Sequence, residues 1–307
     1  MTFKRLQLVF SAILLALAAN SPAAGQDDFQ RLRLGVSLSP DEAIRERIEP
    51  FRLYLEEKLD VPVDLFLIDT LGQLAEALAN GDIDYARLSS SSYAAVYSEC
   101  ECIEPLATVR PDGFPARFYS VLIAKTAKPR KTIADLKGGR LGVGDHLSIA
   151  SYRVPLSNLL AEGIDPRKHF RTMVQVKGEI EGLQAVLDGR IEASLGWSSL
   201  AGAPNTGYTA GSLNDFFLRG AAGFDKLQIV WRSQPIPYNA HAVRSGLPDH
   251  TKRQLRGALL DLLEADPLAY FSREPDFPGG LEPVVHADYR AVLRSYEPDF
   301  QTVFVKE

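Results

Sequence analysis

Short apolar runs alternate along the chain with longer stretches of helical spacing. Residues 31–37 place Leu32, Leu34 and Val36 two apart, the period of a half-buried strand. Residues 46–59 place Ile48, Phe51, Leu55 and Leu59 three or four apart, the period of a helix packed on one face. The exchange repeats, with strands expected over 61–68, 83–88 and 103–109 and helices over 71–79 and 93–98. Thr70 stands where it can cap the helix at 71–79, and Asn80-Gly81 where it can stop it. Four serines, at 89–92, separate the third strand from the next helix.

The apolar run 119–125 leads into a second series. A short capped helix over 132–139 ends on glycine. Strands follow over 140–143, 171–176, 191–196 and 227–231, with helices over 149–161 and 179–188. Pro155 suits the first of these helices only if it lies in an opening turn. Two more helices are expected over 249–265 and 288–298. Residues 200–214 are glycine-rich and longer than an ordinary connection, the pattern of a mobile flap. Strand–helix alternation of this kind predicts the α/β class, a mostly parallel sheet with helices on both faces.

The N-terminus adds a location. Lys4 and Arg5 precede an apolar run from 6 to 19, and small, turn-prone residues follow at 20–25. That order predicts a secretory signal peptide over 1–25, cleaved near 23–25. The apolar run is short for a span, which takes about 20 residues. No cysteine lies beside the cleavage region, which argues against a lipid anchor. Loss of Lys4 and Arg5 takes the formal charge from −5 to −7, a poor match to nucleic acid. Helix N-termini can still hold a small anion locally. The two cysteines, Cys100 and Cys102, would meet an oxidising compartment, where either a bridge or two thiols is open to them. The five histidines lack ligand spacing, and no nucleophile elbow or phosphate loop is present, so neither a metal site nor an enzyme is expected.

Several phrases resemble the phosphate, phosphite and phosphonate-binding periplasmic proteins of ABC transporters. In the first series these are Gly35-Val36-Ser37, residues 78–84 (LANGDID), Ser91-Ser92-Tyr93 and residues 102–107 (CIEPLA). In the second they are residues 133–138 (IADLKG) with Gly144-Asp145, residues 184–193 (QAVLDGRIEA) and residues 230–237 (VWRSQPIP). The resemblance implies a type II binding-protein fold, with two lobes closing by a hinge on a ligand between them. Lobe one would comprise 30–124 and 238–307, and lobe two 125–237. The ligand would lie where strand C-termini meet helix N-termini.

The same resemblance names a site. Ser91 and Ser92 would hold an oxyanion, and Tyr93 would form an aromatic wall. A plain helix cap with a packed tyrosine uses the same groups. In lobe two the family's Ser-Thr-Ser-Gly turn falls on Ser148, Ile149, Ala150 and Ser151, followed by Tyr152. Two of three family hydroxyls are missing, and Ser151 adds one. Glu179 replaces a family histidine, and Trp197, followed by Ser198, replaces an aspartate. A carboxylate there would disfavour a fully charged anion, while Trp197 offers a flat wall and one N–H donor. A related group of arsenite-binding sensor proteins uses a cysteine in this region, which makes Cys100 and Cys102 candidate thiolate ligands for a soft centre.

The function expected is therefore capture of a small oxyanion or oxoacid, without a cofactor, by a periplasmic monomer. It would reach the membrane only through its partner, an ABC permease. A sensor histidine kinase is the alternative partner, and a periplasmic enzyme is a third class.

Overall fold

The structure is a computed structural model that describes residues 29–37, 42–126, 132–204, 208–220 and 224–305. The expected signal peptide lies outside the described residues. The first half runs β1 (Leu32–Ser37), α1 (Glu42–Leu59), β2 (Val63–Ile68), α2 (Leu71–Asn80), β3 (Tyr85–Leu88), α3 (Ser90–Cys100) and β4 (Ile103–Val109). The chain then enters β5 (Arg117–Lys125), β6 (Arg140–Val143), α4 (Val154–Ala161), α5 (Pro166–His169), β7 (Thr172–Gln175), α6 (Glu179–Leu187), β8 (Ala193–Ser198), α7 (Ser212–Leu218), β9 (Leu227–Arg232) and β10 (Ile236–Pro237). It returns through β11 (Ala240–Arg244), α8 (Asp249–Ala265), α9 (Pro267–Arg273) and β12 (Leu281–Pro283), and ends in α10 (Arg290–Leu293) and α11 (Pro298–Phe304).

Two sheets result. The first has the order β12-β4-β11-β3-β1-β2. In the second, β5 pairs with β8 on one side and with β9 and β10 on the other, and β8 continues to β6 and β7. β1 is parallel to β2 and β3, and β6 to β7 and β8. The sheets are mixed rather than mostly parallel. The reason is topological: β5 and β11 are entered by short crossings between the two sheets, without an intervening helix, and each runs antiparallel to its neighbours.

Each sheet is covered on both faces. In the first, Leu34, Phe51 and Leu259 pack together on one face, and Leu74, Leu78 and Tyr289 on the other. In the second, Ile123, Leu183 and Phe216 fill one face, and Leu122, Leu141 and Leu156 the other. β5, expected at the end of the first series, is paired within the second sheet. The chain's last helix, α11, also packs there, through Phe300 and Phe304. A small shared cluster joins the halves, with Ala94 of α3, Val154 of α4, Ile236 of β10, and Ala291 and Val292 of α10.

Local chemistry explains the element ends. The Thr70 side chain accepts from the Gln73 amide, and Gly81 closes α2 in the left-handed conformation. The helix expected over 149–161 is two pieces, a π-turn over Ile149–Arg153 and then α4, so that Pro155 falls in the first turn of α4. The expected helix over 288–298 is a broken series: a 3₁₀ turn at His286–Tyr289, α10, a second 3₁₀ turn at Arg294–Tyr296, and then α11 opening on Pro298. The stretch expected as a flap contains the start of α7 and an isolated bridge from Ser198 to Gly211.

Candidate ligand-binding cleft

The run of serines does not precede its helix; it is the helix's first turn. Ser89 is the cap, and its side chain accepts from the Ser92 amide at 3.0 Å. The Ser89 and Ser92 hydroxyls lie 2.8 Å apart. Ser90 is spent on structure, donating to the carbonyls of Pro237 and Tyr238 where the chain returns from the second sheet. Ser91 contacts the Tyr296 hydroxyl at 3.1 Å. The amides of Ser90 and Ser91 head the helix, where N–H groups have no acceptor within it. Tyr93 does not form a wall. Three positions past Ser90, it turns to the sheet and is fully buried, bonding His286 Nδ1 at 2.8 Å and packing on Tyr289. Burial drives its phenol far above the ordinary range.

The second turn is built similarly. Ser148 caps the π-turn by accepting from the Ser151 amide at 3.1 Å, and the two hydroxyls lie 2.8 Å apart. Gly144 ends the strand beside them. A Cβ there would lie 2.1 Å from Ser151 Oγ, so the close approach requires glycine. Asp145 holds the outer arm of the turn through the Leu147 amide at 2.8 Å. The amides of Ile149 and Ala150 thus head a helical segment beside a serine pair, with no side-chain hydroxyl needed at either position. Tyr152 points elsewhere, its hydroxyl donating to the Phe304 carbonyl at 3.3 Å. It fastens α11 and does not line the turn.

Glu179 opens α6 at the first position after Gly178. No ion pair engages its carboxylate among the described residues. A Cβ on Gly196 of β8 would lie 3.5 Å from its Cγ, which places the side chain over the end of that strand. Trp197 is half-buried, and its amide donates to Ser212 Oγ at 3.0 Å. Ser198 is 1% exposed and its hydroxyl accepts from the Leu200 amide, so it shapes the turn and offers no free group.

Trp197 has company that periodicity did not reveal. Phe118 of β5 meets it edge-on at 6.1 Å, Tyr238 meets Phe118 at 5.2 Å, and Phe277 meets Tyr238 at 5.3 Å. This aromatic row runs from the second sheet, across the segment that joins the halves, to the loop after α9. Beside its far end lies a buried polar chain. Arg87 gives two bonds of 2.8 Å to Glu274, which is 0% exposed. His241 Nε2 faces the same carboxylate at 3.2 Å, and His241 Nδ1 meets the Tyr85 hydroxyl. Burial alone would raise the Glu274 carboxyl, but His241 and Arg87 outweigh it and hold it at about 2.

Cys100 and Cys102 are bonded to each other at the far end of α3, about 15 Å along the helix axis from its first residue. Neither thiol is free, so the thiolate site has no ligands in this structure. Among the described residues no group of His, Cys, Asp and Glu is arranged to hold a metal ion, and no helix is long and apolar enough to cross a membrane.

Two sheets, joined by short crossings and each carrying a serine-capped helical turn after one of its strands, define a type II binding-protein fold. The family described as "ABC transporter, phosphonate, periplasmic substrate-binding protein" matches residues 36–296, and the chain belongs to that family. Its members are substrate-binding proteins of a periplasmic transport system rather than enzymes. Among solved structures, XAC2383 from Xanthomonas citri bound to ATP is similar at TM-score 0.56 and 17% identity, covering 90% of this chain and 100% of that one. The same protein bound to chloride ion gives 0.54 and 17%, over 87% and 96%. Transferrin 1 from Manduca sexta gives 0.59 and 11%, over 89% of this chain and 47% of that one. At these identities the likeness is one of fold.

Proposed function

We propose that the protein captures a small oxyanion or oxoacid between two lobes and presents the closed form to an ABC permease. The lobes correspond to the two sheets, and the signal peptide expected at 1–25 would be removed on export. One observation carries the reading. Two serine-capped turns, at 89–92 and 148–151, stand at the C-terminal ends of β3 and β6, one in each half. Each offers helix-heading amides with a paired hydroxyl, the groups that hold an oxyanion without burying a counter-charge. Ser92, Ser148 and Ser151 stay in the ligand set through their hydroxyls, with the amides of Ser91, Ile149 and Ala150, Trp197 supplies a wall, and Glu179 screens the second half against a second negative charge. Tyr93, Tyr152 and Ser198 serve structure.

A permease that touches both halves at once would select the closed form, because only that form presents both surfaces in register. The test is binding calorimetry on the mature chain with phosphate, phosphite, methylphosphonate and methanesulfonate. Ser148→Ala should weaken the tightest of them about tenfold or more, the worth of one hydrogen bond to an anion. Unchanged affinity in both Ser148→Ala and Ser92→Ala would move the ligand away from these turns.

A further inference from the structure

The two serine turns provide amides and hydroxyls but no full positive charge. We infer that Arg87 supplies that charge, and that the ligand is an organic phosphonate or sulfonate with a flat apolar body; the inference rests on the cleft reading above. Arg87 is the penultimate residue of β3, two before the Ser89 cap, so it sits at the strand end where that reading places the ligand. Its side chain lies on the sheet face opposite Leu88 and is 26% exposed. Nε and Nη2 are both committed to Glu274, at 2.8 Å each. Nη1 has no partner among the described residues and is not among the buried unpaired atoms. The guanidinium is therefore clamped from behind with one N–H edge left over.

The clamp matters because of what stands behind it. Glu274 is fully buried, and among the described residues it is the carboxylate that faces both Arg87 and Arg273, whose Nε is buried and unpartnered, with Arg47 a further positive charge acting on Arg273. His241 is buried and driven toward its neutral form. The guanidinium groups outnumber the carboxylate and leave positive charge uncompensated, which a bound anion would balance. A guanidinium already held by two bonds loses little freedom in making a third. Lysine could not both keep the fork on Glu274 and reach a ligand.

The apolar body follows from the aromatic row. Phe277 lies three residues past Glu274 and begins the series Phe277, Tyr238, Phe118 and Trp197. An anionic head at Arg87 would place a flat body along these rings. The Glu179 carboxylate at the opposite side disfavours a second anionic group, so one acidic head is expected rather than two.

The experiment is calorimetry of phenylphosphonate, methylphosphonate, benzenesulfonate and methanesulfonate with four proteins: wild type, Arg87→Lys, the pair Arg87→Gln with Glu274→Gln, and Ser148→Ala. Wild type should bind each aryl compound at least tenfold tighter than its methyl counterpart, since rings add both area and stacking. Arg87→Lys should weaken the aryl ligands about tenfold or more, the scale of a charge-assisted bond. The paired variant removes both members of the buried ion pair, so it tests the charge without stranding Glu274. Weakening by Ser148→Ala, with wild-type affinity in both Arg87 variants, would leave the cleft standing and overturn the role of Arg87. Equal affinity for aryl and methyl ligands would overturn the apolar body. Absence of binding by all four compounds to wild type would overturn the cleft reading and this inference together.

Discussion

The Ser91 hydroxyl lies 3.1 Å from the phenol oxygen of Tyr296, and the ring of the same tyrosine carries the Arg153 guanidinium 4.5 Å above its centre. Ser91 belongs to the serine turn of the first half, and Arg153 ends the serine turn of the second. Arg153 also donates to the Ser295 carbonyl, and Asn158 of α4 to the Ala291 carbonyl at 2.9 Å. The segment 286–296 is thus bonded to both halves at the point where they meet. Tyr296→Phe should remove only the Ser91 bond and cost about 1 kcal/mol. Tyr296→Ala should also lose the cation–ring contact and cost about 3 kcal/mol. Urea denaturation of the two variants checks the order, and equal losses would place the whole effect in the hydroxyl.

Gly144→Ala tests the second turn through packing alone. The added methyl would meet Ser151 Oγ at 2.1 Å and must displace it from Ser148. The expected outcome is a stability loss of about 1–3 kcal/mol together with weaker anion binding. Stability loss with unchanged affinity would separate Ser151 from the site.

Acid should weaken the first half through Glu274. Its carboxyl titrates at about 2 when folded, against an ordinary 4.5. A depressed value means that the stabilisation is complete above about pH 4.5 and is lost as the pH falls toward 2. His241 is depressed mainly by burial, with Glu274 opposing, so the unfolded chain takes up its proton first as the pH drops below about 6.5. Both groups act in the same direction. Wild type should lose about 5 °C or more in melting temperature between pH 7 and pH 3. The pair Arg87→Gln with Glu274→Gln should show a flatter profile. Parallel profiles would exclude Glu274 as the source.

The disulfide closes a loop of one intervening residue. The chain-entropy account gives such a loop about 1.5 kcal/mol, against about 3 for a loop of fifteen residues. Cys100→Ser with Cys102→Ser should therefore shift the urea midpoint only modestly. Oxyanion affinity should be unchanged, because the bridge lies at the opposite end of α3 from the serine turn. A large affinity loss would return the cysteines to the site.

Much of the fold is legible in the residues themselves. Alternation at Leu32, Leu34 and Val36 gives β1, and Thr70 with Gly81 brackets α2. Tertiary contacts decide what local pattern leaves open. β10 and β12 span two and three residues and take their extended form from pairing with β5 and β4. The start of α3 is hidden because serine favours caps and turns as much as helix, so four in a row give no boundary. Tyr93 shows why a matched motif does not place a side chain: its neighbour Tyr289, from the 3₁₀ turn at His286–Tyr289, comes from far along the chain and draws the ring into the core. Phe118, Tyr238 and Phe277 come from three separate segments, and nothing in their spacing joins them. Arg87 carried a signal that periodicity passes over, a charge inside the otherwise apolar end of β3.

The central claim is that an oxyanion binds between the two serine turns and draws the halves together. Small-angle X-ray scattering of the mature protein, with and without saturating phenylphosphonate or methylphosphonate, tests it most directly. The expected result is a smaller radius of gyration on ligand addition, reached in Ser148→Ala only at a higher ligand concentration. A radius unchanged by any oxyanion that calorimetry shows to be bound would contradict closure around the ligand.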